Sequence, residues 1–177
     1  MEKEILLIIV GCLFLCYSIY LKYFKEKYSH TWRKKSANKV LEKIKHFDSP
    51  QVFAYLRKVE PFIVEELILS ALDQREEIKI QRNKRYTGDN GIDGKFVLKN
   101  KEVNIKFIVQ VKRYSSYINP KHLKEFEEQI IKEKAYKGLF IHTGKTSKNL
   151  LEVSKNNDKL EIISGERLIN LIRTGSF

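Results

Sequence analysis

The stretch TGDNGIDGKFVLKNKEVNIKFIVQVKRY, residues 87–114, holds Asp89 and Asp93 in a glycine-containing turn and closes on Gln110 and Lys112, interleaved with Val109 and Val111. A lysine inside an apolar strand is costly unless an anion lies beside it. Side chains alternate along a strand, so Gln110 and Lys112 share one face and the two valines point to the other. The same alternation in the preceding run, 92–99, turns Asp93 away from Ile92, Gly94 and Phe96. If the two runs pair through the KNK turn at 99–101, Asp93, Gln110 and Lys112 converge on one polar face.

A helix upstream offers a fourth group. Plotted at helical spacing, Glu66, Ser70, Asp73 and Gln74 fall on one polar arc, whereas Glu65 falls among Ile68, Leu69 and Leu72. Glu66 is therefore expected in solvent and Glu65 against apolar neighbours, where its charge needs a cation such as Lys112 or a metal. Two acids, an amide and a lysine suit metal-assisted phosphodiester hydrolysis. Carboxylates hold Mg²⁺, which polarises the phosphoryl oxygen and lowers the pKa of bound water, while the lysine orients or deprotonates that water. Taken singly, the same residues have blander readings: Asp89 and Asp93 as turn formers, Glu65 as a surface acid, Lys112 as an edge lysine with its head in water. Their joint spacing favours a site.

The elements that must position these groups follow from periodicity. A helical segment over 51–72 precedes strand-like runs at 77–82, 92–99 and 102–112, which form a meander. Asn119 and Pro120 supply the cap and first turn of a helix with an apolar stripe of Leu123, Phe126, Ile130 and Ile131. A strand at 137–143, a short helix near 147–154, a strand at 160–163 and a helix near 165–173 complete an α/β pattern. The expected fold is a mixed central sheet flanked by helices.

The chain has 177 residues, room for one globular domain with an appendage, and a formal charge of +12. Residues 1–21 carry −1, 22–49 carry +6 and the remainder +7, a distribution that suits a polyanion such as nucleic acid, or an anionic leaflet. The two cysteines, Cys12 and Cys16, both lie in the N-terminal apolar run, which excludes a disulfide framework and a zinc site in the globular part. No P-loop or Ser-His-Asp pattern is present. His142, at a strand end, is expected to be structural.

Residues 5–21, ILLIIVGCLFLCYSIYL, carry no charge and approach the length of a membrane span. A signal peptide fits less well, because MEKE is a poor n-region and no A-x-A site follows. Lys22, Lys25, Lys27, Arg33, Lys34 and Lys35 place the following chain on the cytoplasmic side of a bacterial cell membrane. The turn FDSPQ at 47–51 sets a boundary. The expected organisation is an anchor over 1–24, a basic helical connector over 25–50 and a catalytic domain over 51–177.

The segments PFIVEELILSAL, TGDNGIDG and QVKRY, with GLFIHTGKTS and IISGERLINLI, resemble the catalytic domain of Mrr-type restriction endonucleases, within the PD-(D/E)xK nuclease superfamily. The resemblance covers residues 58–173. It implies a restriction-endonuclease-like core, with Asp93 as principal metal ligand, Glu65 as the helix-borne acid, Gln110 and Lys112 as the Gln-x-Lys pair and Mg²⁺ as cofactor. Gln110 would complete the metal shell with Asp93 and Glu65, and Asp89 matches an aspartate that positions the turn. Two departures are modest: Asn90 stands where glycine is frequent and Val64 where phenylalanine is.

Arg113, Tyr114, Lys121 and Lys124, with His122, extend a basic and aromatic patch suited to DNA phosphates, although a solvated helix start would look the same. The reading that results is a membrane-anchored, Mg²⁺-dependent DNA endonuclease for restriction or DNA processing. A double-strand break needs two active sites, which leaves room for a homodimer. The alternative is a non-catalytic DNA-tethering or regulatory module that keeps the nuclease fold.

Overall fold

The structure, a computed structural model, describes residues 2–82, 91–99 and 103–177, with the side chains of 2–8 and 22–30 outside the description. Asp89, Asn90 and most of the KNK turn therefore lie outside the described residues.

A single helix, α1 (Glu2–Ile44), runs through both the expected anchor and the expected connector. Its last turns are not a free linker. Ala37, Val40 and Ile44 are buried in the same apolar cluster as Val64, Leu67, Ile68 and Leu72. Among the described residues no helix is long and apolar enough to cross a membrane, so the span expected over 5–21 is not found among them.

The helical segment predicted over 51–72 is two helices, α2 (Ser49–Leu56) and α3 (Pro61–Leu72). Pro61 is the reason: it disfavours helical backbone in the residue before it, and Glu60 sits at ψ 135°. Asp48 caps α2 reciprocally, accepting from the Gln51 N–H at 2.8 Å while the Gln51 side chain accepts from the Asp48 N–H.

Five strands follow: β1 (Ile78–Gln81), β2 (Gly94–Lys99), β3 (Asn104–Lys112), β4 (Lys137–His142) and β5 (Leu160–Ile163). They lie side by side in chain order. β1, β2 and β3 form an antiparallel meander in which Gly94 faces Val109 and Phe96 faces Phe107. The pairing on which the predicted convergence depended is therefore present. β3, β4 and β5 are parallel, joined by crossovers carrying α4 (Pro120–Lys132) and α5 (Lys148–Lys155), and α6 (Gly165–Thr174) ends the chain. Asn119 caps α4, accepting from the Lys121 N–H at 3.0 Å, with Pro120 in the first turn.

Alternation along the strands builds two cores. Phe96, Phe107, Val109, Val111, Leu139 and Ile141 pack with α1, α3 and α6 on one side. Ile108, Phe140 and Ile162 pack with Leu123, Phe126 and Ile130 of α4 on the other. Gln110 and Lys112 belong, by alternation, to the α4 side.

Candidate active site

Where β3 leaves the sheet, its partner β2 has not yet begun, and Asp93 occupies the gap. Its N–H donates to the Val109 carbonyl at 2.9 Å, and its carboxylate oxygen Oδ2 accepts from the Val111 N–H at 2.6 Å. The side chain thus takes the place a strand carbonyl would hold, which pins a carboxylate to the last turn of the ladder.

Gln110 is set one residue along, 6 % exposed. Its Nε2 donates to the Gly91 carbonyl at 2.6 Å. Gly91 has φ +82°, and a Cβ there would meet Nε2 at 2.7 Å, so glycine is required both by the backbone and by the close approach of the amide. The other amide atom, Oε1, is buried without a hydrogen-bond partner among the described residues. An unpartnered buried carbonyl oxygen costs about 1–3 kcal/mol unless a cation or water completes it. Lys112 follows on the same face, half-buried, opposite His142 in the β3–β4 register.

Three of the four predicted groups are thus gathered at the carboxyl end of β3, where ligands of parallel α/β sheets commonly bind. Two expectations need correction. Ile92 does not share a face with Gly94 and Phe96: it packs with Ile108, Ile118 and Leu123 of the α4-side core, because the chain turns at Gly91 rather than continuing as strand. The larger correction concerns the acids of α3. Glu66, expected in solvent, is 3 % exposed, and Glu65 is half-buried. α3 is not a surface helix with one wet arc, since α1 covers the side away from the sheet. There Glu66 accepts from Ser70 Oγ at 3.0 Å and pairs with Arg82 at 3.1 Å, and Arg82 also reaches Asp73 at 3.3 Å. Burial pulls the Arg82 guanidinium towards neutrality, but Glu66 and Asp73 outweigh it and hold its pKa above the ordinary value.

α3 lies on the Val109–Val111 side of the sheet, opposite to Gln110 and Lys112. Leu69 packs where Gly94 has no side chain, and Arg113 donates to the carbonyls of Arg57 and Val59 just before α3. Glu65 sits on α3 between these two levels.

The patch predicted after β3 is partly structural. Arg113 is engaged with those two carbonyls, and the Tyr114 hydroxyl is hydrogen-bonded to His122 Nδ1. Burial raises the Tyr114 pKa above its usual value. Lys121 and Lys124 are exposed, Lys121 within 3.8 Å of Glu125. Arg57, which the sequence did not single out, clamps the loops after β3 and β4, donating to the Tyr114 carbonyl at 2.9 Å and the Thr143 carbonyl at 2.6 Å. His142 is fully buried. Its Nδ1 accepts from the Gly144 N–H at 3.1 Å, its Nε2 lies 3.0 Å from Thr146 Oγ1, and burial pushes its pKa down to about 4. It is a neutral structural histidine at pH 7.

Carboxylate and amide oxygens such as those of Asp93 and Gln110 are hard donors of the kind a small divalent cation takes, and water would fill its remaining positions. Among the described residues no group of three or more His, Cys, Asp or Glu side chains gathers. A site built on one or two carboxylates and an amide does not require one.

Comparison with known proteins bears on the family and the fold. The family model Mrr_cat, described as restriction endonuclease, matches residues 56–172. No curated protein matches the chain. Among solved structures, the MspJI restriction endonuclease in complex with a 27-mer oligonucleotide is similar over 71 % of this chain and 31 % of its own, at 18 % identity and TM-score 0.53. The DNA modification-dependent restriction endonuclease AspBHI is similar over 81 % of this chain and 35 % of its own, at 15 % identity and TM-score 0.51. The chain thus spans about a third of those proteins' length, and at such identity the likeness speaks for the fold.

Proposed function

This chain belongs to the Mrr_cat restriction endonuclease family, and from that premise we propose that it hydrolyses DNA phosphodiester bonds with Mg²⁺ at the end of β3. One observation carries the reading: a buried amide oxygen of Gln110, without a partner, lies one residue from a peptide that the Asp93 carboxylate holds. Asp93, Gln110 and Glu65 would hold the cation, which when bound supplies electrostatic stabilisation of the phosphoryl oxygens and an acidified water. The chain's own residues do the rest. Asp93 is oriented by the Val111 N–H, so its second oxygen is directed rather than free to rotate. Gln110 is oriented by Gly91, which aims Oε1. Lys112, two residues beyond Gln110 on the same strand face, would position the water, accept or return its proton and offset charge on the leaving oxygen.

The test is cleavage of methylated and unmethylated plasmid by the full chain in non-ionic detergent, with Mg²⁺ and with EDTA. Cleavage that needs Mg²⁺ and is lost in Lys112→Ala supports the reading. DNA binding without cleavage under every condition would favour the tethering alternative.

The same proposal holds the domain at a bacterial cell membrane, facing the cytoplasm, through residues 5–21. Its support is the exposed apolar surface of Ile9, Leu13, Phe14, Ile19 and Leu21, on a stretch without charge. Resistance of the protein to alkaline extraction from membranes checks it; release with peripheral proteins would end it.

A further inference from the structure

The polar arc of α3 is the wall of a groove rather than a wet surface. Two adjoining cavities, which share Lys34 and Asn38, lie between α1 and α3. The larger, about 530 Å³, is lined by Thr31, Lys34, Lys35, Asn38, Glu66 and Arg82. The smaller, about 240 Å³, continues along Ser70, Asp73 and Gln74. Arg82 pairs with both Glu66 and Asp73, and Lys34 and Lys35 bring the lining to a net charge of +1. Both lysines are exposed, and among the described residues neither has an ion-pair partner.

We propose that this groove seats the sugar-phosphate backbone of bound DNA, Lys34 and Lys35 each meeting a phosphate over a floor fixed by the Glu66–Arg82 pair. The inference rests on the DNA-cleaving reading. Its reason is charge. Unpaired lysines beside a polar cleft match the phosphates of a nucleic-acid strand, which recur along its length. Glu66, in the groove wall, neighbours Glu65 along α3. Neither lysine belongs to the family-matched region, which starts at residue 56. They are this chain's own extension of the surface, made possible because Ala37, Val40 and Ile44 dock the last turns of α1 into the core.

The test is fluorescence anisotropy of a labelled 30-base-pair duplex with the full chain in non-ionic detergent and EDTA, between 50 and 200 mM salt. Loss of two phosphate contacts should lower the slope of log affinity against log salt by about 1.8 and weaken binding on the order of 10- to 100-fold at 0.1 M salt. Lys34→Ala/Lys35→Ala should show both changes, whereas Lys148→Ala/Lys155→Ala, which removes the same charge from α5 on the other face of the sheet, should show neither. An unchanged slope in the first variant overturns the proposal. So does an equal loss in both, which would reduce the effect to net charge, and so does a loss confined to binding of phosphatidylglycerol vesicles. If the wild-type chain cuts DNA but its slope ignores Lys34 and Lys35, only the groove falls. If the wild-type chain neither binds nor cuts, the functional reading falls with it.

Discussion

Asp93→Asn and Asp93→Ala should come apart, because the carboxylate holds two roles at once. Oδ2 accepts from the Val111 N–H at 2.6 Å, and Val111 is only 9 % exposed. Asparagine keeps an acceptor oxygen for that N–H and removes the charge. Alanine removes both and leaves a buried donor unsatisfied, a loss of about 1–3 kcal/mol. For a chain of 177 residues, 1 kcal/mol moves the melting temperature by about 2–4 °C, so the alanine variant should melt roughly 6 °C lower. The asparagine variant should stay within about 0.5 kcal/mol of the wild type. Cleavage should fall in both, since losing a metal ligand removes several kcal/mol of transition-state stabilisation, about 100-fold or more in rate. Thermal melting by circular dichroism and Mg²⁺-dependent plasmid cleavage measure the two roles separately. An alanine variant as stable as the wild type would refute the ladder-capping role, and an asparagine variant that cuts normally would refute the ligand role.

Gly91→Ala should lower stability by about 1–2 kcal/mol for the left-handed backbone at φ +82° and about 1 kcal/mol more for the amide of Gln110 displaced from the Gly91 carbonyl. Its cleavage should fall with it, and normal melting would show that Gln110 is not held there. Arg82→Met should destabilise by about 3–5 kcal/mol in urea titration, because Glu66 at 3 % exposure loses its cation, and Glu66→Gln in the same chain should recover most of that loss. Additive losses in the pair would show that the two charges do not interact. His142 has a folded pKa of about 4 against 6.5 in the unfolded chain, so between those values the unfolded state binds the extra proton. Its contribution is complete above about pH 6.5 and is lost as pH falls, at up to about 1.4 kcal/mol per pH unit, about 3 kcal/mol in all. The melting temperature of His142→Asn should fall less steeply than that of the wild type over this window, and parallel curves would rule the histidine out.

Much of the site was legible in the order of residues because strand geometry is local. A period of two fixes Gln110 and Lys112 on one face and Val109 and Val111 on the other, whatever the strand packs against. The short interval between 92–99 and 102–112 led to the expectation of antiparallel pairing, which β2 and β3 show, and Asn119 with Pro120 marked the start of α4. The role of Asp93 in the ladder was not legible, because it depends on where β2 begins relative to the end of β3, a matter of register and not of composition.

Helical periodicity was correct about which residues of α3 share an arc and silent about what covers it. Glu66, Ser70, Asp73 and Gln74 do lie together, but α1 packs over them, so an arc that would face water in an isolated helix is closed off and its acid paired with Arg82. Amphipathic pattern records one helix's own faces; burial is set by a second helix, α1, earlier in the chain. The sequence by itself determined the fold class, the strand faces and the family resemblance, each a consequence of local spacing. Only the tertiary structure decided which carboxylate of α3 is buried, which amide atom of Gln110 lacks a partner among the described residues and that two lysines of α1 flank a groove, since each depends on segments meeting that the chain order keeps apart.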